Sequence, residues 1–394
     1  MIEPHNQKKG RMRVRFKPLL ETLGRKVAGR GIPLRLTPAG AVCLFLSLWG
    51  CIAIYSATSH LEPSYLFVGR QLIWIAVGFA TLLVTSALSR EAYQKGAIPA
   101  AFAGYALLWL VLFCGIRING MRGWFAWKGV FLQPSELAKP LFVLSTAWLL
   151  QRTRKQRAEW LRGFLPLLLL LAAWSVPLIL QPDFGALLIY GLTFLLLYWC
   201  AGGRLLHLAA CTGAALLSAT ILATQYAYVF RRLGAFLRPD AFADTSGWHI
   251  LQFQRSIAAG GLLGRSLENM LWSRSYLPLG YSDSIFANTA EFAGLLGVLP
   301  IIALILAWIV YAAYRAGSAP DEFSRTAILG LAILLTGQAF VHLSVNLGLM
   351  PPTGITLPLI SYGGSSLVST LVCVGIVEGL SFNRNAIDTA GDGE

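Results

Sequence analysis

The chain is a succession of long apolar runs separated by short polar segments rich in Gly, Pro, Ser and Arg. A helix that crosses a bilayer needs about 20 mostly apolar residues, and ten runs approach that length. They cover residues 39–59, 66–88, 97–116, 136–151, 164–180, 185–200, 205–228, 286–314, 327–349 and 366–382. The pattern predicts an all-α, polytopic integral membrane protein with about ten transmembrane helices. It also predicts one large extracytoplasmic loop, at about 231–284, between helices 7 and 8.

The composition agrees with a membrane protein and excludes several other classes of protein. Of the 394 residues, 56% are hydrophobic and 13% are charged, whereas a soluble domain carries about 25% charged residues. A soluble enzyme, a disordered chain and a disulfide scaffold are therefore excluded. The net charge of +14 would suggest nucleic acid in a soluble protein. In a membrane protein it fits cytoplasmic loops instead, so we expect no nucleic-acid partner.

The basic residues also predict how the chain is oriented in the membrane. If the N-terminus is inside, the six cytoplasmic segments hold 21 of the 32 Lys and Arg residues, although the largest loop lies on the other side. Cytoplasmic loops collect Lys and Arg, so both termini are predicted to be cytoplasmic. The predicted regions are a basic cytoplasmic tail at 1–37, a membrane domain at 38–384 and a short cytoplasmic tail at 385–394.

Ionisable residues within or beside membrane spans are costly and are therefore candidates for function. The acidic and basic residues at the spans fall mostly at their outer ends, not at mid-membrane, where transporters usually place their coupling residues. This distribution favours chemistry at the outer face over transport. The chain contains no Walker loop and no histidine spacing typical of a metal site, so no dedicated cofactor or metal site is predicted.

Four polar or proline-containing turns fall on the predicted outer face, at residues 133–139, 181–185, 281–283 and 351–366. Glu136 and Lys139 are three residues apart at the start of a helix, so they can pair with each other. The alternative is an anionic head-group site in which Lys139 meets phosphate. Asp183 precedes a helix and is either its N-cap or a substrate ligand.

These turns resemble those of one family when they are taken in order along the chain. QPSELAK, QPDFG, GWHILQ…AAGGLLG, SDSIFA…E and LPLISYGGSS are similar to the turns of the SEDS proteins (shape, elongation, division and sporulation), the FtsW and RodA type. The resemblance covers residues 37–384 and includes the family's ten spans. The stretch 351–358 and the long basic tail look closer to division proteins, so an FtsW-like member is favoured.

The resemblance implies a peptidoglycan glycosyltransferase of the bacterial cytoplasmic (inner) membrane. Such an enzyme polymerises lipid II, an undecaprenyl-diphosphate-linked disaccharide peptide, into β-1,4 glycan strands on the outer face. It acts during cell division or cell elongation beside a class B penicillin-binding protein, the transpeptidase partner. Two alternatives stay open: a lipid II flippase, which needs a polar path to the inner face, and a non-enzymatic scaffold for the transpeptidase.

Carried over residue by residue, the family's essential loop aspartate falls on Asp283, which is the predicted catalytic residue. The predicted substrate-binding residues are Arg122, Trp124, Glu136, Lys139, Gln181, Asp183, Arg232, Gln252, Glu291, Asn346 and Ser361. The chain departs from the family's pattern near the aspartate, because Leu279 stands where Glu is usual and Tyr281 where His is usual.

The implied reaction joins an α-linked donor into a β-1,4 product, so it inverts the anomeric carbon in a single displacement. Such a step needs a base for the attacking hydroxyl and positive charge for the leaving diphosphate. Asp283 suits the role of base. Lys139, Arg122 and Arg232 are the candidate diphosphate partners, and a divalent cation, Mg²⁺ or Mn²⁺, could share that task.

Overall fold

The structure is a computed structural model that describes residues 37–61, 63, 65–118, 120–225, 234–242, 246–277 and 279–381. Residues 1–36 of the predicted tail at 1–37, the predicted tail at 385–394 and the predicted substrate-binding residue Arg232 lie outside these residues. The described chain from Pro38 onward forms one compact unit.

Ten long helices account for the ten predicted spans within the described residues. They are α1 (Pro38–Thr58), α2 (Tyr65–Ser86), α3 (Arg90–Cys114), α4 (Pro134–Arg152), α5 (Leu165–Leu180), α6 (Phe184–Cys200), α7 (Leu205–Gln225), α9 (Ile285–Gly317), α10 (Glu322–Asn346) and α11 (Gly364–Ser381). A further helix, α8 (Ser246–Gly260), lies in the long segment between α7 and α9. The predicted polytopic helical membrane fold is therefore confirmed.

Not all ten helices are equally apolar. Seven helical segments are long and apolar enough to cross a membrane by length and composition, and α6 and part of α7 are shorter apolar helices. The α4 helix is different because Glu136 and Lys139 lie in its first turns. A short π-helical turn, Trp160–Phe164, leads into α5, and one-turn helices occur at Arg154–Gln156, Pro239–Phe242, Leu267–Asn269 and Trp272–Ser275.

Hydrogen bonds between loops divide the described connections into two groups, one at each end of the helices. On the first, which we call the Asp283 face, Gln133 Nε2 donates to Asp183 Oδ2 at 3.1 Å and Ser361 Oγ donates to the Ser282 carbonyl at 2.8 Å. On the opposite face, Arg157 Nη2 donates to Glu322 Oε1 at 2.6 Å. The turns predicted to share one face do so in the structure.

Helices α10 and α11 form the centre of the bundle. About three quarters of their residues are buried, 72% and 78%, against 22% for α2. Helix α10 packs against α4, α6, α9 and α11. Buried polar side chains occur on α1, α4, α9, α10 and α11 and in the loops at their ends, and α10 carries several of them, among them Gln338, His342 and Asn346.

A small antiparallel sheet lies between α3 and α4, a region for which the sequence predicted only an outer loop. Strands β1 (Ile116–Ile118), β2 (Met121–Trp127) and β3 (Val130–Leu132) pair in that order. Lys128 and Gly129 connect β2 to β3, and both have positive φ, 47° and 78°. Two such residues are typical of the type I′ turn that fits the twist of a hairpin.

Helix α9 is interrupted, whereas the sequence predicted one continuous span at 286–314. The break lies at Gly294, with φ 63° and ψ −167°. Residues 260–265 run beside it, so that Leu295 N–H donates to the Gly261 carbonyl at 2.9 Å and Arg265 N–H donates to the Glu291 carbonyl at 2.9 Å. Backbone groups released by the break therefore find partners within the protein, which a bilayer demands. The remaining residues, 295–317, extend for about 35 Å and can span alone.

We predict that Gly294→Ala lowers the thermal stability of the purified protein. The backbone at Gly294 is strained for any other residue, at about 1–3 kcal/mol. An added Cβ would also lie 2.3 Å from Gly264 N. Thermal unfolding in detergent, followed by tryptophan fluorescence, should show a midpoint lower by several degrees. Gly317→Ala is the matched control, because a Cβ at the end of the same helix meets nothing within 4 Å. Equal midpoints for the two variants would contradict this account of the break.

Candidate active site

The turn that carries Asp283 is held by the segment that precedes α11. Tyr362 N–H donates to the Tyr281 carbonyl at 2.8 Å, and Ser361 Oγ donates to the Ser282 carbonyl at 2.8 Å. Asp283 itself is half-buried and lies within this hydrogen-bonded turn. Ser361 therefore positions the turn, and its predicted contact with substrate stays a prediction.

Asn346, the last residue of α10, bonds to the backbone of the same turn. Its Nδ2 donates to the Asp283 carbonyl at 3.1 Å, and its Oδ1 accepts from Ala287 N–H at 3.2 Å. The side chain is fully buried and joins the last residue of α10 to the first turn of α9. Asn346 is thus a positioning residue for Asp283 in this structure, while the substrate contact predicted for it stays a prediction.

Two further side chains on the same face of α10 hold the loop that borders Asp283. His342 Nδ1 lies 2.7 Å from the Ile355 carbonyl, and Gln338 Nε2 donates to the Thr356 carbonyl at 3.1 Å. In this loop Gly354 has φ 72°, and a Cβ at that position would lie 3.6 Å from Asp283 Oδ2. The absence of a side chain on Gly354 leaves the space beside the carboxylate open.

Lys139 and Glu136 form the ion pair that their spacing allowed. Lys139 Nζ lies 2.6 Å from Glu136 Oε1 and donates to Gln338 Oε1 at 2.8 Å. Lys139 is only 2% exposed, so its charge is compensated inside the protein. The pairing interpretation is confirmed, and the contact of Lys139 with phosphate stays a prediction. Gln338 connects this pair to the loop beside Asp283.

Asp183 is the N-cap of α6, the other interpretation that the sequence left open. Its Oδ1 accepts from Ala186 N–H at 3.0 Å, while Oδ2 accepts from Ser135 Oγ at 2.8 Å and from Gln133 Nε2 at 3.1 Å. These bonds join the start of α4 to the start of α6. A substrate contact for Asp183 stays a prediction.

Arg122, Trp124 and Gln181 lie where the small sheet meets the ends of α3 and α5. Arg122 Nε donates to the Gly115 carbonyl at 2.9 Å, which attaches β2 to the end of α3. Gln181 Nε2 donates to the Leu108 carbonyl at 2.7 Å. Trp124 is half-buried in β2. The three residues are held by the protein backbone, and Arg122 retains a guanidinium that is partly exposed on the Asp283 face.

Glu291 and Gln252 lie on two helices that pack against each other, α9 and α8. Glu291 is fully buried before the break in α9; its Oε2 accepts from Ser256 Oγ at 3.0 Å and its Oε1 from Trp272 N–H at 3.1 Å. Gln252 is buried on α8. The sequence placed Glu291 at the outer end of an unbroken span, but its bonds join the long segment to α9.

The predicted residues therefore fall into four groups. The structure groups Asp283 with Asn346 and Ser361, Glu136 with Lys139 and Asp183, Arg122 with Trp124 and Gln181, and Glu291 with Gln252. Sequence reasoning assigned no site role to Gln338 or His342. Gln338 connects the first two groups through Lys139 and Thr356, and His342 bonds to the Ile355 carbonyl of the same loop. The signal that could have found them is a polar residue at every fourth position of an apolar run, at 338, 342 and 346, because such residues share one helix face. No cluster of three or more metal-ligating side chains occurs among the described residues.

Burial and the neighbouring carboxylate of Asp283 both change the pKa of the Tyr281 side chain. The pKa of Tyr281 is raised above its ordinary value, chiefly by burial, then by the charge of Asp283 and by Tyr362. The phenol therefore stays protonated at neutral pH, and no phenolate competes with Asp283 for a proton at this turn.

The fold and this arrangement define a polytopic membrane protein with a candidate site at one end of its helical bundle. The model of the FtsW, RodA and SpoVE family, described as cell cycle proteins, matches residues 39–386. The chain belongs to this family, and the resemblance of its turns to the FtsW and RodA proteins is confirmed.

Relatives and solved structures agree with the family. The chain is 32% identical to the probable peptidoglycan glycosyltransferase FtsW of Trichlorobacter lovleyi, over 89% of this chain and 94% of that protein. It is 33% identical to the protein of that name from Geobacter sulfurreducens, over 85% and 92%. These relatives favour the FtsW-like member, as predicted.

Among solved structures, a chain from work on the structural coordination of polymerization and crosslinking by a peptidoglycan synthase complex is 28% identical. It superposes with a TM-score of 0.72 over 86% of this chain and 96% of that chain. The rod shape determining protein RodA of Thermus thermophilus is 27% identical, with a TM-score of 0.66 over 87% and 95%.

The buried ion pair predicts an asymmetric effect on stability. Glu136→Gln leaves the Lys139 ammonium buried without a counter-charge, so the free energy of unfolding should fall by about 3–5 kcal/mol. Replacing both partners, Glu136→Gln with Lys139→Met, should recover a large part of that loss. Unfolding by titrated SDS measures both variants. Glu268→Gln, at an exposed position on the Asp283 face, is the control. A single variant as stable as the parent would show that the pair does not stabilise the fold.

Proposed function

We propose that this protein is a peptidoglycan glycosyltransferase that polymerises lipid II at the extracytoplasmic face of the bacterial cytoplasmic membrane. The observation that carries the proposal is the half-buried Asp283 carboxylate on a turn held by Asn346 and Ser361. Membership of the FtsW, RodA and SpoVE family supports it, as do relatives named as probable peptidoglycan glycosyltransferases.

In the proposed reaction, the 4-hydroxyl of one lipid-linked disaccharide attacks the anomeric carbon of another. The new C–O bond forms as the bond to the polyprenyl diphosphate breaks, so the diphosphate leaves with the bonding electrons. The hydroxyl proton passes to the Asp283 carboxylate. A positioned base of this kind contributes about 10²–10⁴-fold in rate. One displacement on an α-linked donor produces the β-1,4 linkage and inverts the anomeric centre.

The geometry near Asp283 suits a base that must meet a bulky substrate. Its backbone is fixed through the Asn346 amide, which limits the loss of conformational freedom when the substrate binds. Its side chain borders Gly354, where a Cβ would lie 3.6 Å from Oδ2. A hydroxyl can therefore approach the carboxylate from the Gly354 side without meeting a side chain at that position.

Positive charge for the leaving diphosphate is the second requirement. Arg122 is the more accessible candidate of those described. Its Nε and Nη2 donate to the Gly115 and Phe113 carbonyls but its side chain is only half-buried, whereas Lys139 is buried and paired with Glu136. A divalent cation, Mg²⁺ or Mn²⁺, is a further candidate, since Mg²⁺ is usually bound through one or two carboxylates together with substrate phosphates. Such an ion would be held chiefly by the phosphate oxygens of the substrate and would supply charge compensation for the diphosphate.

We further propose that the protein works beside a class B penicillin-binding protein. The solved chain with a TM-score of 0.72 belongs to a peptidoglycan synthase complex that coordinates polymerization and crosslinking. A transpeptidase beside the polymerase would receive each strand as it forms. This places both activities on the same side of the membrane, which the proposed orientation requires.

The decisive test of the base is Asp283→Asn in the purified protein with its transpeptidase partner. The amide keeps the size of the side chain but cannot accept the proton, so glycan strands formed from lipid II should fall by at least about 10²-fold. Polymer is measured on gels after labelling. Asp240→Asn, an exposed aspartate of the same long segment, is the control and should polymerise like the parent.

The outcomes also separate the alternatives. Polymerisation by Asp283→Asn within about threefold of the parent would reject Asp283 as the base. Loss of polymer with lipid II binding and partner binding retained would exclude a purely scaffolding role. Transport of lipid II across liposomes by the parent, without polymer, would favour a flippase.

The proposed orientation predicts which introduced cysteines can be labelled from outside. With the exposed Cys114 and Cys200 replaced by Ser, Glu268→Cys should react with a membrane-impermeant maleimide in intact spheroplasts. Lys155→Cys, exposed on the opposite face, should react only after the membrane is opened. The reverse pattern would place Asp283 in the cytoplasm and remove the proposed chemistry.

A further inference from the structure

A pocket of about 320 Å³ opens on the Asp283 face beside the proposed catalytic turn. It lies where the end of α1 meets the start of α8 and the segment 275–281. Its walls combine rings, small polar groups and aliphatic side chains, chiefly His60, Trp248, Ser275, Tyr276, Leu279 and Tyr281. The volume lies at the lower end of the range for small-molecule sites, which suits one or two rings.

The pocket adjoins Asp283 through Tyr281. Only Ser282 lies between Tyr281 and Asp283, so their Cα atoms are at most about 7 Å apart. The Tyr281 ring is fixed, because it contacts Phe67 with ring centroids 5.0 Å apart and Tyr362 at 5.7 Å. A ligand in the pocket would therefore touch the same turn that presents the carboxylate.

The part of the pocket lining that contains Tyr276 is also held in place. Tyr276 N–H donates to the Trp272 carbonyl at 2.9 Å, and Trp272 N–H donates to Glu291 Oε1 at 3.1 Å. The ring centroids of Tyr276 and Trp272 are 5.4 Å apart. Buried Glu291 thus connects this wall to α9, so the pocket does not depend on a loose loop for its shape.

The residues that line the pocket indicate which part of a lipid-linked sugar it can bind. None of the described residues that line the pocket is Lys, Arg, Asp or Glu, so a diphosphate or a carboxylate would find no compensating charge of those kinds. A polyprenyl tail would leave the polar groups without hydrogen bonds, which is costly. A pyranose ring fits both features: its C–H face can lie on an aromatic ring while its hydroxyls reach the polar groups.

We propose that this pocket is a saccharide subsite that binds a sugar ring of the glycan next to the reacting one. The inference rests on the proposed function, because that function supplies the glycan. Trp248, Tyr276 and Tyr281 are the stacking surfaces, and the subsite keeps the glycan against the turn of Asp283. Its loss weakens glycan binding and shortens the strands that are made, while the chemical step at Asp283 continues.

The test uses the full-length protein in nanodiscs and a soluble tetrasaccharide of alternating N-acetylglucosamine and N-acetylmuramic acid, without lipid or peptide. Saturation-transfer NMR should detect binding to the parent. Tyr276→Ala removes one stacking ring and should weaken binding about threefold to tenfold. Ser275→Trp fills the pocket without removing a ring and should abolish binding. Trp127→Ala, at an exposed ring of the β2–β3 turn outside the pocket, is the control and should bind like the parent.

The variants also separate this proposal from the proposed function. Asp283→Asn should still bind the tetrasaccharide, while Tyr276→Ala should still polymerise lipid II but into shorter strands. A parent that polymerises lipid II without binding the tetrasaccharide would overturn the subsite and leave the function standing. Binding by Tyr276→Ala and Ser275→Trp within twofold of the parent would overturn it as well. So would a loss of transpeptidase binding in these variants with glycan binding unchanged, since the pocket would then be a protein contact.

Discussion

One helix face determines how the candidate site is built. Gln338, His342 and Asn346 recur at every fourth position of α10, so they share a face of the most central region of the bundle. A buried polar group is costly unless it is hydrogen-bonded. Gln338, Asn346 and the Nδ1 atom of His342 meet this requirement through Lys139, the loop at 355–356 and the Asp283 turn. The Nε2 atom of His342 is buried without a hydrogen-bond partner among the described residues. The hydrogen bonds made by this face of α10 therefore fix the positions of the separate segments that surround Asp283.

The same requirement, applied to the backbone, explains the broken helix. Gly294 interrupts α9 near the Asp283 face, where released N–H and C=O groups would be costly in lipid. Residues 260–265 supply the partners, and Glu291 attaches the 272–277 segment beside them. Residues 260–265 and 272–277 are therefore attached to α9 on this face. Tyr276 and Tyr281, which both line the pocket on this face, are each held by a backbone hydrogen bond.

The parts of the site that the sequence predicted are those set by local spacing. Glu136 and Lys139 stand three residues apart at a helix start, and Asp183 precedes a helix with its N-cap bond to Ala186. Both arrangements follow from helix geometry alone. The connection of this group to Asp283 was not predicted, because the candidates chosen in the spans on physical grounds were ionisable residues and Gln338 is uncharged. The small sheet was missed because its strands are short and the Lys128–Gly129 turn is a weak signal.

The sequence by itself determined the ten helices, their alternation between two faces and the turn that carries Asp283. Helix formation in a bilayer depends on the length of an apolar run and on backbone bonds within that run, and both are local. Only the tertiary structure decided that Asn346 holds Asp283 from 63 residues away, that α9 breaks at Gly294 and that Glu291 supports the pocket. These contacts join segments whose relative positions no local pattern encodes, because each depends on how the whole bundle buries its polar groups.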